Sequence, residues 1–220
     1  MRDFISKKIR GIAPSGIRKY FDIVSEMKDA ISLGVGEPDF GTPWEISEAG
    51  IRSVQKGFTH YTSNKGMPKL REAISHYLSS RYKVHYDKEE IVVTVGASEA
   101  IDITLRAVCD PGDEVLIPMP SYVSYAPCVS MAGGVPVGVE CNESNGFILT
   151  KEMLQSAVTP KSKAIILPYP NNPTGAIMTR RQLEDIRQVI EENDLLVISD
   201  EIYSELTYDG KHVSIASLDG

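Results

Sequence analysis

The chain has 220 residues, of which 42% are hydrophobic and 24% are charged, and this composition is typical of a globular protein of one or two domains. Its formal net charge of −7 argues against a nucleic acid or an anionic membrane surface as a partner. No apolar run approaches the roughly 18–20 residues that a membrane-spanning helix needs, so no membrane segment is expected.

The first part of the chain predicts an arm and two helices. Residues 1–38 contain no strand of the later series, and we expect them to form an N-terminal arm and part of a small domain. Thr42-Pro43-Trp44-Glu45 predicts a capping box with proline at the first helical position, for a helix that stops at Gly57. Another helix is predicted to begin near Pro68, and one of its faces would carry Leu70, Ile74, Tyr77, Leu78 and Arg81.

The later part of the chain, residues 39–220, is predicted to form a large α/β domain. Strand-like apolar runs lie at residues 91–95, 114–117, 135–139, 164–167 and 195–198. Helical patterns follow at 96–109, at 121–132 and after Thr179, where Leu183, Ile186, Val189 and Ile190 are expected to face a core. Strands that alternate with helices of this length form right-handed crossovers, so the sheet is predicted to be mainly parallel.

Two polar segments follow neighbouring strands of this series. Pro170-Asn171-Asn172-Pro173-Thr174-Gly175 comes after the run at 164–167, and Ser199-Asp200-Glu201-Ile202-Tyr203 comes after the run at 195–198. Open parallel sheets bind ligands outside the carboxyl ends of their strands, so these segments predict a shared binding site. Taken singly, Asp200 fits a solvated acidic loop and Asn172 fits a proline-bracketed turn.

Two further segments are candidates for the same sheet edge. Gly96-Ala97-Ser98 lies at a predicted helix start, where free N–H groups and the helix dipole suit a phosphate. Taken alone, the segment fits a tight turn with Ser98 as the N-cap better. Tyr122 follows the run at 114–117 and has a ring that could stack on a flat heteroaromatic group, or pack as a core or interface tyrosine.

Cysteine and histidine usage predicts no metal site. Cys109, Cys128 and Cys141 are scattered without a CxxC pair, so neither a disulfide framework nor a zinc site is indicated. The four histidines show no ligand spacing. Residues 1–11 contain no apolar stretch of a secretory signal, and a cytoplasmic location is expected.

Six stretches of the chain resemble one enzyme family. They are GVGEPDF (34–40), HYTSNKGMPKLREAI (60–74), VTVGASEAID (93–102), DPGDEVLIPMPSYVSY (110–125), PYPNNPTGAI (168–177) and SDEIYSELTY (199–208). In this order they are similar to the N-terminal half of the class I/II aminotransferases. These enzymes use pyridoxal 5'-phosphate (PLP) and have the fold called type I. The bacterial branch with aromatic, alanine and acetyl-diaminopimelate aminotransferases is the most similar.

The resemblance implies a role for each candidate in binding PLP. Ala97 and Ser98 match phosphate-binding positions, and Tyr122 matches the aromatic residue that stacks on the cofactor ring. Asn172 and Tyr203 match the ligands of the ring's 3-oxygen, and Asp200 matches the acid that faces the pyridine nitrogen. Such a carboxylate keeps the nitrogen protonated and makes the ring an electron sink. The resemblance therefore implies that Asp200, together with Tyr203, is a catalytic candidate.

The same resemblance implies a substrate site, a partner subunit and a missing part. Gly36, with Asn172, matches the positions that bind the substrate carboxylate, and Tyr61 matches a tyrosine that reaches the cofactor phosphate of the partner in a homodimer. The turn-rich segment around Gly36 is alternatively an interdomain linker, and Tyr61 by itself is an ordinary loop residue. The Schiff-base lysine of the family is expected beyond Gly220, so the chain is expected to be an inactive fragment of an enzyme of amino acid metabolism.

Three alternatives share part of this pattern. A PLP-dependent C–S β-lyase, or another enzyme of fold type I, would use the same cofactor groups. A non-catalytic regulatory protein would use the fold to sense an effector, but residues 1–41 contain no basic helix-turn-helix pattern. The chain could also serve only as a structural or interaction unit.

Overall fold

The described residues fall into two compact units. The computed structural model describes residues 2–13, 23, 27, 29, 31, 36 and 38–219. The larger unit contains Met1–Ile12 and Lys65–Gly220, and the smaller unit contains Ala13–Asn64. Much of the predicted arm, and residues 34, 35 and 37 of the segment around Gly36, lie outside the described residues. The predicted domain boundary at residue 38 stays a prediction.

In the smaller unit, the described residues include a long amphipathic helix. A short helix α1 (Lys7–Arg10) precedes it in the larger unit, and α2 (Trp44–Gln55) belongs to the smaller one. The predicted capping box at Thr42 is wrong, because Pro43 is itself the N-cap residue and no side chain caps the helix. Pro43 has an extended ψ of 142°, so the first helical residue is Trp44. The helix stops before Gly57, as predicted, and that glycine has a φ of +74°.

A four-stranded parallel sheet forms the centre of the larger unit. Its strands are β1 (Glu114–Met119), β2 (Val135–Glu140), β3 (Ser162–Leu167) and β4 (Leu196–Ser199). They lie in the order β2-β1-β3-β4, and every neighbouring pair is parallel. The predicted parallel sheet is therefore confirmed. All four carboxyl ends lie at one edge of the sheet, where loops can form a site.

Helices cover both faces of this sheet. The larger unit contains α3 (Pro68–Tyr82), α4 (Gly96–Val108), α5 (Tyr125–Ala132), α6 (Lys151–Ala157) and α7 (Arg180–Glu192), and the last four pack against the sheet. Short 3₁₀ helices lie at Lys88–Glu90, Glu143–Asn145, Ser204–Leu206 and Ile215–Ser217. Val115 and Ile117 pack with residues of α4 and α5, whereas Leu116 packs with residues of α6 and α7. Side chains alternate along a strand, so one strand supplies both cores and is apolar throughout.

The helix after Thr179 matches the prediction closely. The Thr179 side chain accepts a hydrogen bond from the Gln182 amide, and the Gln182 side chain caps the Thr179 amide in return. All four residues predicted to face the core are buried, namely Leu183, Ile186, Val189 and Ile190. A capping box and a 3.6-residue apolar period are local signals, which explains why the sequence alone predicted this helix.

Three other predictions need correction. Residues 91–95 form no strand, because no described strand pairs with them. Their amides bond elsewhere: Ile91 to the Lys88 carbonyl, Val93 to the Lys65 carbonyl at 2.9 Å, and Val95 to the Glu99 carboxylate. The helix predicted from residue 121 begins at Tyr125, after a turn closed by a hydrogen bond to the Tyr122 carbonyl. In α3, Leu70 is 44% exposed and the buried residue is Arg71. The Arg71 guanidinium donates to the carbonyls of Gly66 and Lys88, so the side of the helix that carries Arg71 is the buried one.

Candidate functional site

A cavity of about 260 Å³ lies in the larger unit beside the ends of strands β1, β3 and β4. Its volume is just below the ~300–1,000 Å³ that small-molecule pockets usually have. Six of the residues predicted from the sequence line this one cavity: Ala97, Ser98, Tyr122, Asn172, Asp200 and Tyr203. The fold therefore brings together side chains that come from four separate segments of the chain.

The N-terminus of α4 forms one wall. The helix begins at Gly96, which has a φ of +80° and so occupies a backbone region that suits glycine. Val95 is the N-cap residue, so Ser98 lies in the first turn, and the alternative that Ser98 caps the helix is wrong. The first N–H groups of a helix have no partner within it and carry the positive end of its dipole. This wall can bind an anion.

Asp200 supplies a fixed carboxylate to the same lining. Its amide donates to the Leu167 carbonyl at 2.9 Å, which continues the β3–β4 pairing past the end of β4. Its carboxylate accepts from the Tyr125 hydroxyl at 2.8 Å and from the Ile202 amide at 3.2 Å. The carboxylate is thus oriented before any ligand binds.

Tyr125 is the residue that the sequence analysis missed. It is the first residue of α5, it is 3% exposed, and it lines the cavity. Burial, followed by the negative charge of Asp200 and the hydrogen bond to it, raises the pKa of Tyr125 well above its usual range, so the hydroxyl remains a donor. The spacing of three residues from Tyr122 was the available signal, but its partner Asp200 lies 75 residues away in the chain.

Asn172 and Tyr203 form a second polar pair. The Asn172 side-chain amide donates to the Tyr203 hydroxyl at 3.2 Å. The neighbouring Asn171 holds this loop in place, because its side chain donates to the Pro120 carbonyl at 3.1 Å and its backbone carbonyl accepts from Gly175 at 2.8 Å. The loops after β1 and β3 are therefore tied together beside the cavity.

Tyr122 supplies the aromatic part of the lining. Its ring meets the ring of Tyr125 edge-on, with 5.7 Å between the centroids and 75° between the planes. Such edge contacts fix the orientation of a ring. Tyr122 is still 38% exposed, so part of its ring remains free for a ligand.

The two other predicted site residues lie in the smaller unit. Gly36 is exposed, and the Tyr61 side chain is fully exposed. Their predicted roles stay predictions. Among the described residues, no group of three or more histidine, cysteine or acidic side chains could hold a metal ion. No helix among the residues that the structure describes is long and apolar enough to cross a bilayer.

The three-layer α/β fold with its parallel sheet is that of the fold type I class of PLP-dependent enzymes, to which the structurally similar aminotransferases belong. The sequence profile of the family "Aminotransferase class I and II" matches residues 28–219. The chain belongs to this family. PLP is the cofactor of the family.

Named relatives agree with this placement. The chain is 49% identical to an aspartate aminotransferase of Pyrococcus abyssi, over 98% of this chain and 56% of that protein. It is 45% identical to aromatic-amino-acid aminotransferase 2 of Thermococcus litoralis, over 98% of this chain and 56% of that protein. A crystal structure of the Thermus thermophilus aspartate aminotransferase with maleate matches with a TM-score of 0.93 and 37% identity, over 99% of this chain and 58% of that one. The chain thus spans little more than half the length of these relatives.

Proposed function

We propose that the intact protein is an aminotransferase that moves an amino group between an amino acid and a 2-oxo acid, with PLP as its cofactor. The observation that carries this proposal is the single cavity lined by the start of α4, Tyr122, the Asn172–Tyr203 pair and Asp200. Membership of the aminotransferase family supports it.

The donor set of the cavity fits the cofactor. The first-turn N–H groups at Ala97 and Ser98 would hold its phosphate, because a helix start favours a dianion. Tyr122 would stack on the ring, and Asp200 would face the ring nitrogen. When bound, the cofactor supplies an electron sink for the carbanion that amino-group transfer creates.

The residues of the chain tune this chemistry. Asp200 would hold a proton on the ring nitrogen of the bound cofactor, and the Tyr125 hydroxyl and Ile202 amide keep the carboxylate in position for it. A charge that is oriented in advance needs no reorganisation during the reaction. Asn172 and Tyr203, which contact each other at 3.2 Å, would donate to the 3-oxygen of the ring.

Substrate binding and assembly complete the proposal. Gly36, through its backbone, and Asn172 bind the substrate carboxylate, in line with the resemblance. The exposed Tyr61 reaches the cofactor phosphate of a second copy, so the active protein is a homodimer. The three cysteines are free thiols, which suits a reducing cytoplasm, and amino acid metabolism is the expected role.

The test is an assay of the intact protein with PLP and pairs of amino acids and 2-oxo acids, which include aspartate and aromatic donors. We expect a new amino acid and a new 2-oxo acid in equal amounts. Pyruvate and ammonia from a cysteine-derived substrate, without any amino-group transfer, would instead identify a β-lyase. PLP binding without turnover of any amino acid would favour a regulatory domain.

A further inference from the structure

Glu201 directly follows Asp200, but its side chain lies on the other side of the sheet. Asp200 lines the 260 Å³ cavity, whereas Glu201 and Ser199 line a gap of about 10 Å³ next to Leu167 and Met178. Side chains alternate along an extended chain. One local backbone conformation therefore directs the two neighbouring carboxylates to opposite sides.

Three donors hold the Glu201 carboxylate. Its Oε1 accepts from the Ser199 and Ser214 hydroxyls, both at 2.8 Å, and its Oε2 lies 2.9 Å from Nε2 of His212. Because a carboxylate only accepts hydrogen bonds, Nε2 of His212 must carry a proton in this pair. These bonds join the end of β4 to residues that lie 11 and 13 positions further along the chain.

The network is largely shielded from water. The His212 and Glu201 side chains are 7% and 21% exposed. Burial raises the pKa of Glu201, but the bonds from His212, Ser214 and Ser199 together outweigh it and leave the pKa below its usual value. Glu201 therefore remains charged, and removing its acceptor oxygens would leave buried donors without partners.

We propose that Glu201 is the positioning residue for Asp200: its three hydrogen bonds fix the chain after β4 so that the Asp200 carboxylate faces the cavity and the Tyr125 hydroxyl. Glu201 does not line the cavity and acts through its neighbour. The kinetic part of the test rests on the proposed aminotransferase function, and the structural part does not.

The test compares Glu201→Leu and Glu201→Gln in the intact protein. Leucine removes both acceptor oxygens, whereas glutamine keeps the Oε1 that serves both serines. Misplacing a catalytic group by about 1 Å costs up to roughly 10²-fold in rate, so we expect kcat to fall about 10–10²-fold for Glu201→Leu with little change in KM. Glu201→Gln should restore most of the wild-type rate. Glu184→Gln, on the exposed surface of α7, is the matched control and should behave as wild type.

Crystal structures of the cofactor-free variants give a readout that does not depend on activity. The 2.8 Å contact between Tyr125 and Asp200 should persist in Glu201→Gln and be lost in Glu201→Leu. If Glu201→Leu keeps this contact and its kcat, the proposal is overturned. If the wild type transfers no amino group, the proposed function fails, but the contact distance still tests the positioning role.

A second variant covers the case in which Glu201→Leu does not fold. Ser199→Ala with Ser214→Ala removes two of the three donors and keeps the pair with His212. We expect a smaller drop in kcat and a longer distance between Tyr125 and Asp200. An unchanged kcat and an unchanged distance in this double variant would also overturn the proposal.

Discussion

Replacing Asp200 with asparagine tests the centre of the proposed site. The carboxylate is held by the Tyr125 hydroxyl at 2.8 Å and by the Ile202 amide at 3.2 Å, so its charge is in place before a ligand binds. Asparagine has nearly the same shape, and its oxygen can keep one of these bonds. It has no charge to hold a proton on a facing ring nitrogen, and losing one preorganised charge partner costs on the order of 10²–10³ in rate, or about 2.7–4 kcal/mol.

The assay measures kcat for amino-group transfer at saturating substrates and PLP, together with the amount of PLP retained by the protein. We expect kcat of Asp200→Asn to fall roughly 10²–10³-fold. PLP retention should change little, because we propose that other residues hold the phosphate and the ring. Glu184→Gln is the control, since Glu184 is an exposed carboxylate 3.9 Å from Arg180 in α7. A kcat of Asp200→Asn within about threefold of wild type, far above the value expected for a lost charge partner, would refute the role of Asp200.

Four other predictions concern the dimer, the core and the dependence on pH. Mixing Tyr61→Phe and Asp200→Asn subunits should create hybrid dimers with one intact site, and activity that never exceeds the sum of the two parents would argue against a shared site. Tyr125→Phe should lower the free energy of unfolding by about 1.5–3 kcal/mol at neutral pH. Because folding raises the pKa of Tyr125, the stability that its hydroxyl provides is complete below pH ~10 and is lost above it. The difference in unfolding free energy between Tyr125→Phe and wild type should therefore shrink in alkaline urea titrations. Hydrogen bonds from Arg81 and two tyrosines lower the pKa of Glu205 from 4.5 to about 2. The stability that the charged Glu205 provides is therefore lost as the pH falls between these values, and Glu205→Gln should lose less stability in acid than the wild type. Ile186→Ala removes a fully buried side chain and should cost about 2–5 kcal/mol in urea unfolding, and a loss below about 1 kcal/mol would contradict its place in the core.

The elements that the sequence predicted best are those with local signals. The apolar runs of β1 and β3 identified strands that are buried on both faces, and Thr179 with Gln182 identified the start of α7. The 91–95 run had the same apolar signal, but a strand also needs a neighbour to pair with, and no described strand pairs with it. Arg71 of α3 is buried because the carbonyls of Gly66 and Lys88 accept hydrogen bonds from its guanidinium, and such contacts have no local signal in the sequence.

For the site, the sequence by itself determined which segments carry the polar residues, because each segment directly follows a strand or begins a helix. It placed Asp200 and Asn172 at one edge of a parallel sheet, where strand direction alone puts them, and Ala97 at the start of a helix. Only the tertiary structure decided which side chains touch. Tyr125 meets Asp200 across 75 residues of chain, and Glu201 turns away to a buried histidine, because contacts between distant segments depend on how helices and loops pack and not on any local period.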